Sequence, residues 1–162
     1  MNEYAGERVS GLTSLTRSPV YPLTGKLVNR RTDKMLIKRF EDIDVWREAR
    51  KLVNIIYDLT SKELFRRDFG LKEQIQKAAV SCMSNVAEGF DSDTKQQFVQ
   101  MLSYTKRSSS EVQSELYVAL DRKYISEEGF NKSYDQARTV RKLANGFIRY
   151  LRTGKPVNPL TG

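Results

Sequence analysis

Apolar residues recur at intervals of three and four positions along four segments of the chain, which is the spacing of amphipathic helices. No segment alternates apolar and polar residues with the period of two that is expected for a strand. The four predicted helices run from about Asp44 to Thr60, from Gly70 to Phe90, from about Thr94 to Lys123 and from Ser126 to about Leu151. Because short connections join them, the sequence predicts an all-α fold, an antiparallel up-down four-helix bundle.

Capping residues and prolines set the boundaries of this bundle. Asp44 and Ser126 are suitable N-caps, and Thr94 with Gln97 fits a capping box. No proline falls between residues 23 and 155, which favours uninterrupted helices. We therefore divide the chain into a basic, poorly ordered N-terminal extension (residues 1–37), the bundle (residues 38–152) and a C-terminal tail (residues 153–162).

The second predicted helix is thin. Between Ala78 and Gly89 it carries mainly alanine, serine and glycine, so neighbouring helices can approach its backbone closely. Such a helix belongs at the centre of a bundle. Asn85 and Glu88 are its polar exceptions near the end. We interpret them as a buried polar latch that fixes helix register, and a partner-binding role is the alternative.

The fourth predicted helix has two apolar stripes, one led by Phe130 and Tyr134 and the other by Val140. One stripe is enough for a bundle core, so the second indicates self-association. Trp46 likewise lies off the inner face of the first helix. The predicted oligomer interface comprises Trp46, Val140, Leu143, Phe147 and Tyr150.

The net charge of +8 is concentrated outside the bundle. Residues 1–40 hold eight basic and three acidic side chains, whereas residues 41–150 hold 18 basic and 17 acidic ones. An excess of positive charge is a signature of nucleic-acid binding, although a basic helix face is more often simply solvated. No aromatic residues interleave with the basic ones in the manner of single-strand binders. The candidate contacts are Arg30, Arg31, Lys34, Lys38, Arg39, Lys106, Arg107, Arg138, Arg141, Lys142 and Arg149.

The chain has no histidine and one cysteine, Cys82. Without histidine, the sequence excludes Ser-His-Asp and Cys-His catalysis and most zinc sites. Cys82 falls on the small-residue face of the second helix, where it is expected to pack in the core. Ser103 and Lys106 match a Ser-x-x-Lys pattern, but the companion motifs of that chemistry are absent from the sequence.

Four acidic residues of the second and third helices also lack the histidine partners of a metal site: Glu88, Glu111, Glu115 and Asp121. Carboxylate sites in bundles pair glutamate with histidine, so caps and surface partners are the favoured interpretation.

No apolar run is long enough to span a bilayer, and the chain does not begin with a hydrophobic signal segment. The sequence predicts a cytoplasmic, non-enzymatic protein with no cofactor, metal, membrane or small-molecule substrate.

Three runs of sequence carry a resemblance to a known family: FEDIDVWREARKL from Phe40, AAVSCMSNVAEGF from Ala78 and LYVALDRKYIS from Leu116. They resemble the four-helix-bundle proteins encoded in intervening sequences of bacterial 23S ribosomal RNA genes, over roughly residues 40–152. Cys82-Met83 stands where the family usually has Ile-Pro, and Gln76-Lys77 where it has an arginine pair. The residues that match the family's hallmark helix are Ala78, Ala79, Ser84, Asn85, Ala87, Glu88 and Gly89.

The resemblance implies a ring-like homo-oligomer, most often a pentamer. Related bundles are accessory proteins to the reverse transcriptases of diversity-generating retroelements, where a basic oligomer binds the enzyme and nucleic acid. The first functional hypothesis is therefore an accessory factor that binds structured RNA, or DNA, or an RNA-associated partner such as a reverse transcriptase. The alternative is a structural or protein-interaction scaffold with no nucleic-acid affinity.

Overall fold

The computed structural model describes residues 37–154 of the chain. The expectation that the N-terminal extension is poorly ordered concerns residues outside this range, as does most of the C-terminal tail. The candidate contacts Arg30, Arg31 and Lys34 also lie outside the described residues.

The described residues form a short 3-10 turn and five α-helices, with no strand among them. The four predicted helices are confirmed as α1, α3, α4 and α5, with ends within about two residues of the prediction. The sequence does not predict α2, because five residues are too few to display a helical period. The turn spans Phe40–Asp42, and the helices are α1 (Asp44–Thr60), α2 (Glu63–Arg67), α3 (Phe69–Phe90), α4 (Lys95–Asp121) and α5 (Glu127–Thr153).

The four long helices pack in the order of the chain. α3 packs against α4, α4 against α5, and α1 closes the arrangement by packing against both α3 and α5. Since short connections join neighbouring helices that pack along their lengths, the bundle is antiparallel and up-down, as predicted. Within residues 37–154, no helix has the length and apolar character needed to cross a membrane.

Local hydrogen bonds begin most of the helices. The Thr94 hydroxyl accepts from the Gln97 backbone N–H at 3.2 Å, and Ser126 accepts from Gly129 at 3.2 Å, which confirms both predicted caps. The predicted Asp44 cap is wrong. Ile43, which is fully buried, occupies the N-cap position of α1, and Asp44 is the first helical residue.

The second apolar stripe of α5 belongs to the core of the single chain. Val140 is fully buried, and Phe147 is 2% exposed with its ring 5.2 Å from that of Phe98. The predicted oligomer interface is therefore wrong for these two residues, which offer no surface to a second subunit. α5 needs both stripes because it packs against α1 as well as α4. Trp46, Leu143 and Tyr150 are partly buried and pack against the same core.

Candidate nucleic-acid interface

Side-chain hydrogen bonds connect α4 and α5 along their line of contact, which we call the α4–α5 seam. The Ser109 hydroxyl donates to the carbonyl oxygen of Ala137 at 2.8 Å and is fully buried. Above it, the exposed guanidinium of Arg141 donates from Nη1 to the Ser110 hydroxyl at 3.4 Å. These contacts place residues near 110 on α4 beside residues near 140 on α5.

The basic and acidic residues of this helix pair are separated along its length. α4 has no acidic residue from Lys95 to Ser110, and α5 has none from Gln136 to Thr153. Because the helices are antiparallel, these two segments lie side by side, as the contact between Phe98 and Phe147 also shows. We call them together the basic half of the α4–α5 pair. It carries eight basic residues and no acidic ones: Lys95, Lys106, Arg107, Arg138, Arg141, Lys142, Arg149 and Arg152.

All six predicted contacts on α4 and α5 therefore belong to one region of the fold. Arg141 and Arg149 are exposed, and Arg138 is exposed while it forms an ion pair with Asp135 at 3.0 Å. Arg107 lies over the ring of Tyr104, with 5.6 Å between its Cζ atom and the ring centroid. The nearly balanced charge of residues 41–150 thus conceals a strongly uneven distribution on the surface.

The two predicted contacts near the start of the bundle lie elsewhere. Lys38 and Arg39 are exposed and precede the 3-10 turn, which packs against α1 and α3 on the other side of the bundle. The Arg39 guanidinium forms an ion pair with Glu41. The structure does not bring these residues to the α4–α5 seam.

Three aromatic rings gather where the basic half ends. The ring centroids of Tyr117 and Phe130 are 4.9 Å apart, those of Phe130 and Tyr134 are 5.3 Å apart, and those of Tyr117 and Tyr134 are 5.8 Å apart. Tyr117 is 51% exposed, although aromatic side chains usually bury most of their surface. The charge of the neighbouring Tyr134 and a hydrogen bond to it raise the pKa of Tyr117 above its ordinary value.

The ring cluster cannot be seen in the sequence as aromatic residues interleaved with basic ones within a single segment. The rings come instead from two helices on either side of the α4–α5 turn. Their signal in the sequence is that Tyr117 and Phe130 are nearly equidistant from that turn, so that an antiparallel hairpin brings them together.

A family model described as 23S rRNA-intervening sequence protein matches residues 41–146 of the chain. The chain belongs to this family. A crystal structure of a protein of unknown function from the S23 ribosomal protein family of Bacteroides thetaiotaomicron superposes with a TM-score of 0.60. It is 18% identical in sequence, and the similarity covers 65% of this chain and 95% of that one, which supports the shared fold. A comparison with curated proteins found no match.

The hallmark helix of this intervening-sequence protein is a packing element. Ala78, Ala79 and Gly89 are buried, whereas Ser84, Asn85 and Ala87 are half-buried and Glu88 is exposed. Among residues 37–154, neither Asn85 nor Glu88 has a side-chain hydrogen bond, so the predicted latch is not formed there. The register of α3 on α4 is marked instead by the Thr105 hydroxyl, which donates to the Cys82 carbonyl oxygen at 3.3 Å.

The buried groups of the family member do not converge on a reactive centre within the described residues. Cys82 is fully buried, as predicted, and burial together with the charge of Glu111 raises the pKa of its thiol to about 12. Glu115 is 6% exposed, and neither carboxylate oxygen has a hydrogen-bond partner among residues 37–154. Burial and the charge of Glu111 raise the pKa of Glu115 to about 7. No group of three or more potential metal ligands forms in this part of the chain.

Proposed function

We propose that this intervening-sequence protein is a non-enzymatic nucleic-acid-binding factor that holds the phosphate backbone of RNA on the basic half of α4 and α5. The observation that carries the proposal is the pairing of two acid-free helix segments, residues 95–110 and 136–153. Together they carry eight basic side chains, and neither segment has an acidic residue to repel the phosphates of a bound strand.

The chemistry of the face suits phosphate better than a protein surface of mixed charge. Arginine guanidinium groups donate two parallel hydrogen bonds to phosphate oxygens, and serine hydroxyls add single ones. The Arg141 guanidinium lies 3.4 Å from the Ser110 hydroxyl, so both groups can contact the same phosphate. Each phosphate that is neutralised releases condensed counterions, so affinity follows the salt concentration steeply.

Self-association and a protein partner belong to the same proposal. The resemblance to ring-forming bundles favours a ring-like homo-oligomer, in which each subunit presents one basic half and weak contacts combine into avidity. An RNA-associated enzyme such as a reverse transcriptase is the favoured protein partner. Light scattering coupled to size exclusion gives the subunit number, and a monomer at micromolar concentration rules out avidity as a source of affinity.

The test measures RNA affinity over a salt series for the full chain and for two variants that each lose three positive charges. One variant replaces Arg138, Arg141 and Arg149 by glutamine. The control variant replaces three exposed lysines elsewhere by glutamine: Lys51 of α1, Lys62 of the α1–α2 connection and Lys77 of α3. We expect the first variant to lower the slope of log affinity against log salt by about 2 to 3, at about 0.7 to 0.9 per phosphate contact. The control is expected to change it little.

Two outcomes contradict the proposal. Equal losses in both variants mean that net charge, and not the basic half, determines binding. Absence of RNA binding by the unmodified chain at low salt favours the alternative of a protein-interaction scaffold.

A further inference from the structure

We infer that the nucleic acid on the basic half is single-stranded and that one of its bases stacks on the exposed ring of Tyr117. This inference rests on the proposed function and adds the class of nucleic acid to it. It follows from the position of the ring cluster formed by Tyr117, Phe130 and Tyr134 relative to the arginines of α5.

The ring cluster has the form of a supported stacking platform. Phe130 and Tyr134 are partly buried, and their rings stack on each other with an interplanar angle of 28°. Tyr117 packs against both of them and leaves half of its surface exposed. Bases of single strands stack on such rings, whereas the bases of an RNA duplex are already stacked and are recognised by shape and backbone contacts. An exposed tyrosine ring of this kind can therefore contribute to the binding of a single strand but not of a duplex.

The arginines follow the ring cluster at successive turns of α5. Arg138 is four residues and Arg141 seven residues beyond Tyr134, which corresponds to about 6 and 10 Å along the helix axis. A base on the cluster therefore leaves the phosphates of the same strand within reach of both side chains. Asp135 is the present partner of Arg138, but the pair is more than half exposed, so a phosphate can replace it at little cost.

The charges on the other side of the cluster give the strand a direction. Asp121 lies one turn beyond Tyr117 on α4, and Glu127 precedes Phe130 on α5. Both are exposed acidic residues, and the exposed Arg122 and Lys123 beside them make this side of the cluster mixed in charge, whereas the two segments of the basic half carry only positive charges. The strand therefore extends from the ring cluster towards the C-terminal end of α5, over Arg138 and Arg141.

The same charge distribution favours nucleic acid over a protein as the occupant of the cluster. An apolar protein segment would bury the rings but gain nothing from the positive charge of the neighbouring basic half. An RNA strand uses both parts, the rings for a base and the guanidinium groups for its phosphates.

The experiment compares two probes on the full-length protein: a twelve-nucleotide oligouridine with one 2-aminopurine, and an RNA duplex of twelve base pairs. The variants are Tyr117→Ala, Tyr117→Phe, which keeps the ring, and Tyr57→Ala, which removes a tyrosine on α1 that is 48% exposed. Circular dichroism melts verify that each variant folds.

We expect the unmodified protein and Tyr117→Phe to bind the single strand more tightly than the duplex and to quench 2-aminopurine fluorescence. Tyr117→Ala should raise the Kd for the single strand by about 5- to 150-fold, the range measured when a stacking aromatic side chain is removed. Its salt slope should stay unchanged because no charge is lost, and Tyr57→Ala should bind like the unmodified protein.

The outcomes separate the two proposals. If the single strand and the duplex bind equally and Tyr117→Ala matches the unmodified protein while the salt slope is steep, the basic half binds RNA but the inference about the base is wrong. If the unmodified protein binds neither probe at low salt, the proposed function itself fails, and a protein becomes the expected occupant of the ring cluster.

Discussion

A Cβ atom on Gly89 of α3 would lie 2.5 Å from Cδ2 of the Phe98 ring on α4, closer than side-chain contacts in proteins come. It would also lie 2.9 Å from the Cβ atom of Met101. α3 therefore crosses α4 at a distance that only glycine permits. The residue at position 89 is fixed by this packing, independently of any partner.

We expect Gly89→Ala to lower the free energy of unfolding by about 1–3 kcal/mol, because the added methyl group forces the Phe98 ring or the helices to shift. Gly146→Ala is the matched control, since a Cβ atom there meets nothing within 4 Å. In the interior of α5 it should stabilise the protein by about 0.5–1 kcal/mol. Urea denaturation measures both, and equal effects of the two substitutions would show that the helices are not in close contact at Gly89.

The positions of the helices could be predicted because their signals are local. The apolar period and the caps at Thr94 and Ser126 depend on residues within one turn of each other. The width of the apolar face on α5 is explained only by the packing of the whole bundle. Val140 and Phe147 exceed the needs of one helix–helix contact, but α5 has two neighbours in the bundle, and both stripes are needed.

The candidate site was only partly predictable. The basic residues of α5 are visible as a spaced series, whereas the ring cluster depends on the pairing of Tyr117 with residues 13 and 17 positions later. Its exposure depends in turn on packing that no local pattern reports. Asn85 is half-buried and its side chain forms no hydrogen bond among residues 37–154, an outcome that its spacing along α3 does not predict.

Glu115 should make the stability of the protein depend on pH. Its pKa is about 7 in the folded protein against an ordinary value of 4.5, so the folded state binds this proton more tightly than the unfolded state. Stability from this group is therefore fully present below about pH 4.5, falls as the pH rises, and stays low above about pH 7. The loss amounts to about 3 kcal/mol at most.

We expect Glu115→Gln to remove this decline, so that the variant exceeds the unmodified protein in stability at pH 8 and resembles it near pH 4.5. Glu111→Gln is a graded control. It removes a neighbouring negative charge that raises the pKa of Glu115 in the folded protein, so the decline should be smaller and should end at a lower pH. Thermal melts between pH 4.5 and 8 measure both, and parallel curves for all three proteins would show that Glu115 is solvated.

A glycine at position 123 should stabilise the C-terminal end of α4. Lys123 has a left-handed backbone with φ of 58°, and its N–H donates to the Leu120 carbonyl oxygen at 2.8 Å. The Tyr124 N–H donates to Ala119 at 2.9 Å, which completes a Schellman motif. α5 ends on Gly154 in the same left-handed region.

We expect Lys123→Gly to raise the free energy of unfolding by about 0.5–1 kcal/mol, because glycine adopts this conformation without the steric cost that a Cβ atom adds. Lys132→Gly removes the same charge from an exposed position inside α5 and should destabilise the protein by about 1 kcal/mol. Differential scanning calorimetry distinguishes the two, and destabilisation by Lys123→Gly would contradict the helix-end geometry.

The described residues should form an independent folding unit. The buried core of residues 37–154 runs from Ile43 to Leu151, so a fragment of residues 37–154 is expected to melt cooperatively, at a temperature close to that of the full chain. Residues 1–36 carry six basic and three acidic side chains. Their removal should therefore flatten the salt dependence of RNA binding without abolishing it, because the basic half is retained. Circular dichroism and a salt series on the fragment and the full chain measure the two effects. A fragment that binds no RNA while it still melts cooperatively would assign the affinity to the termini and not to α4 and α5.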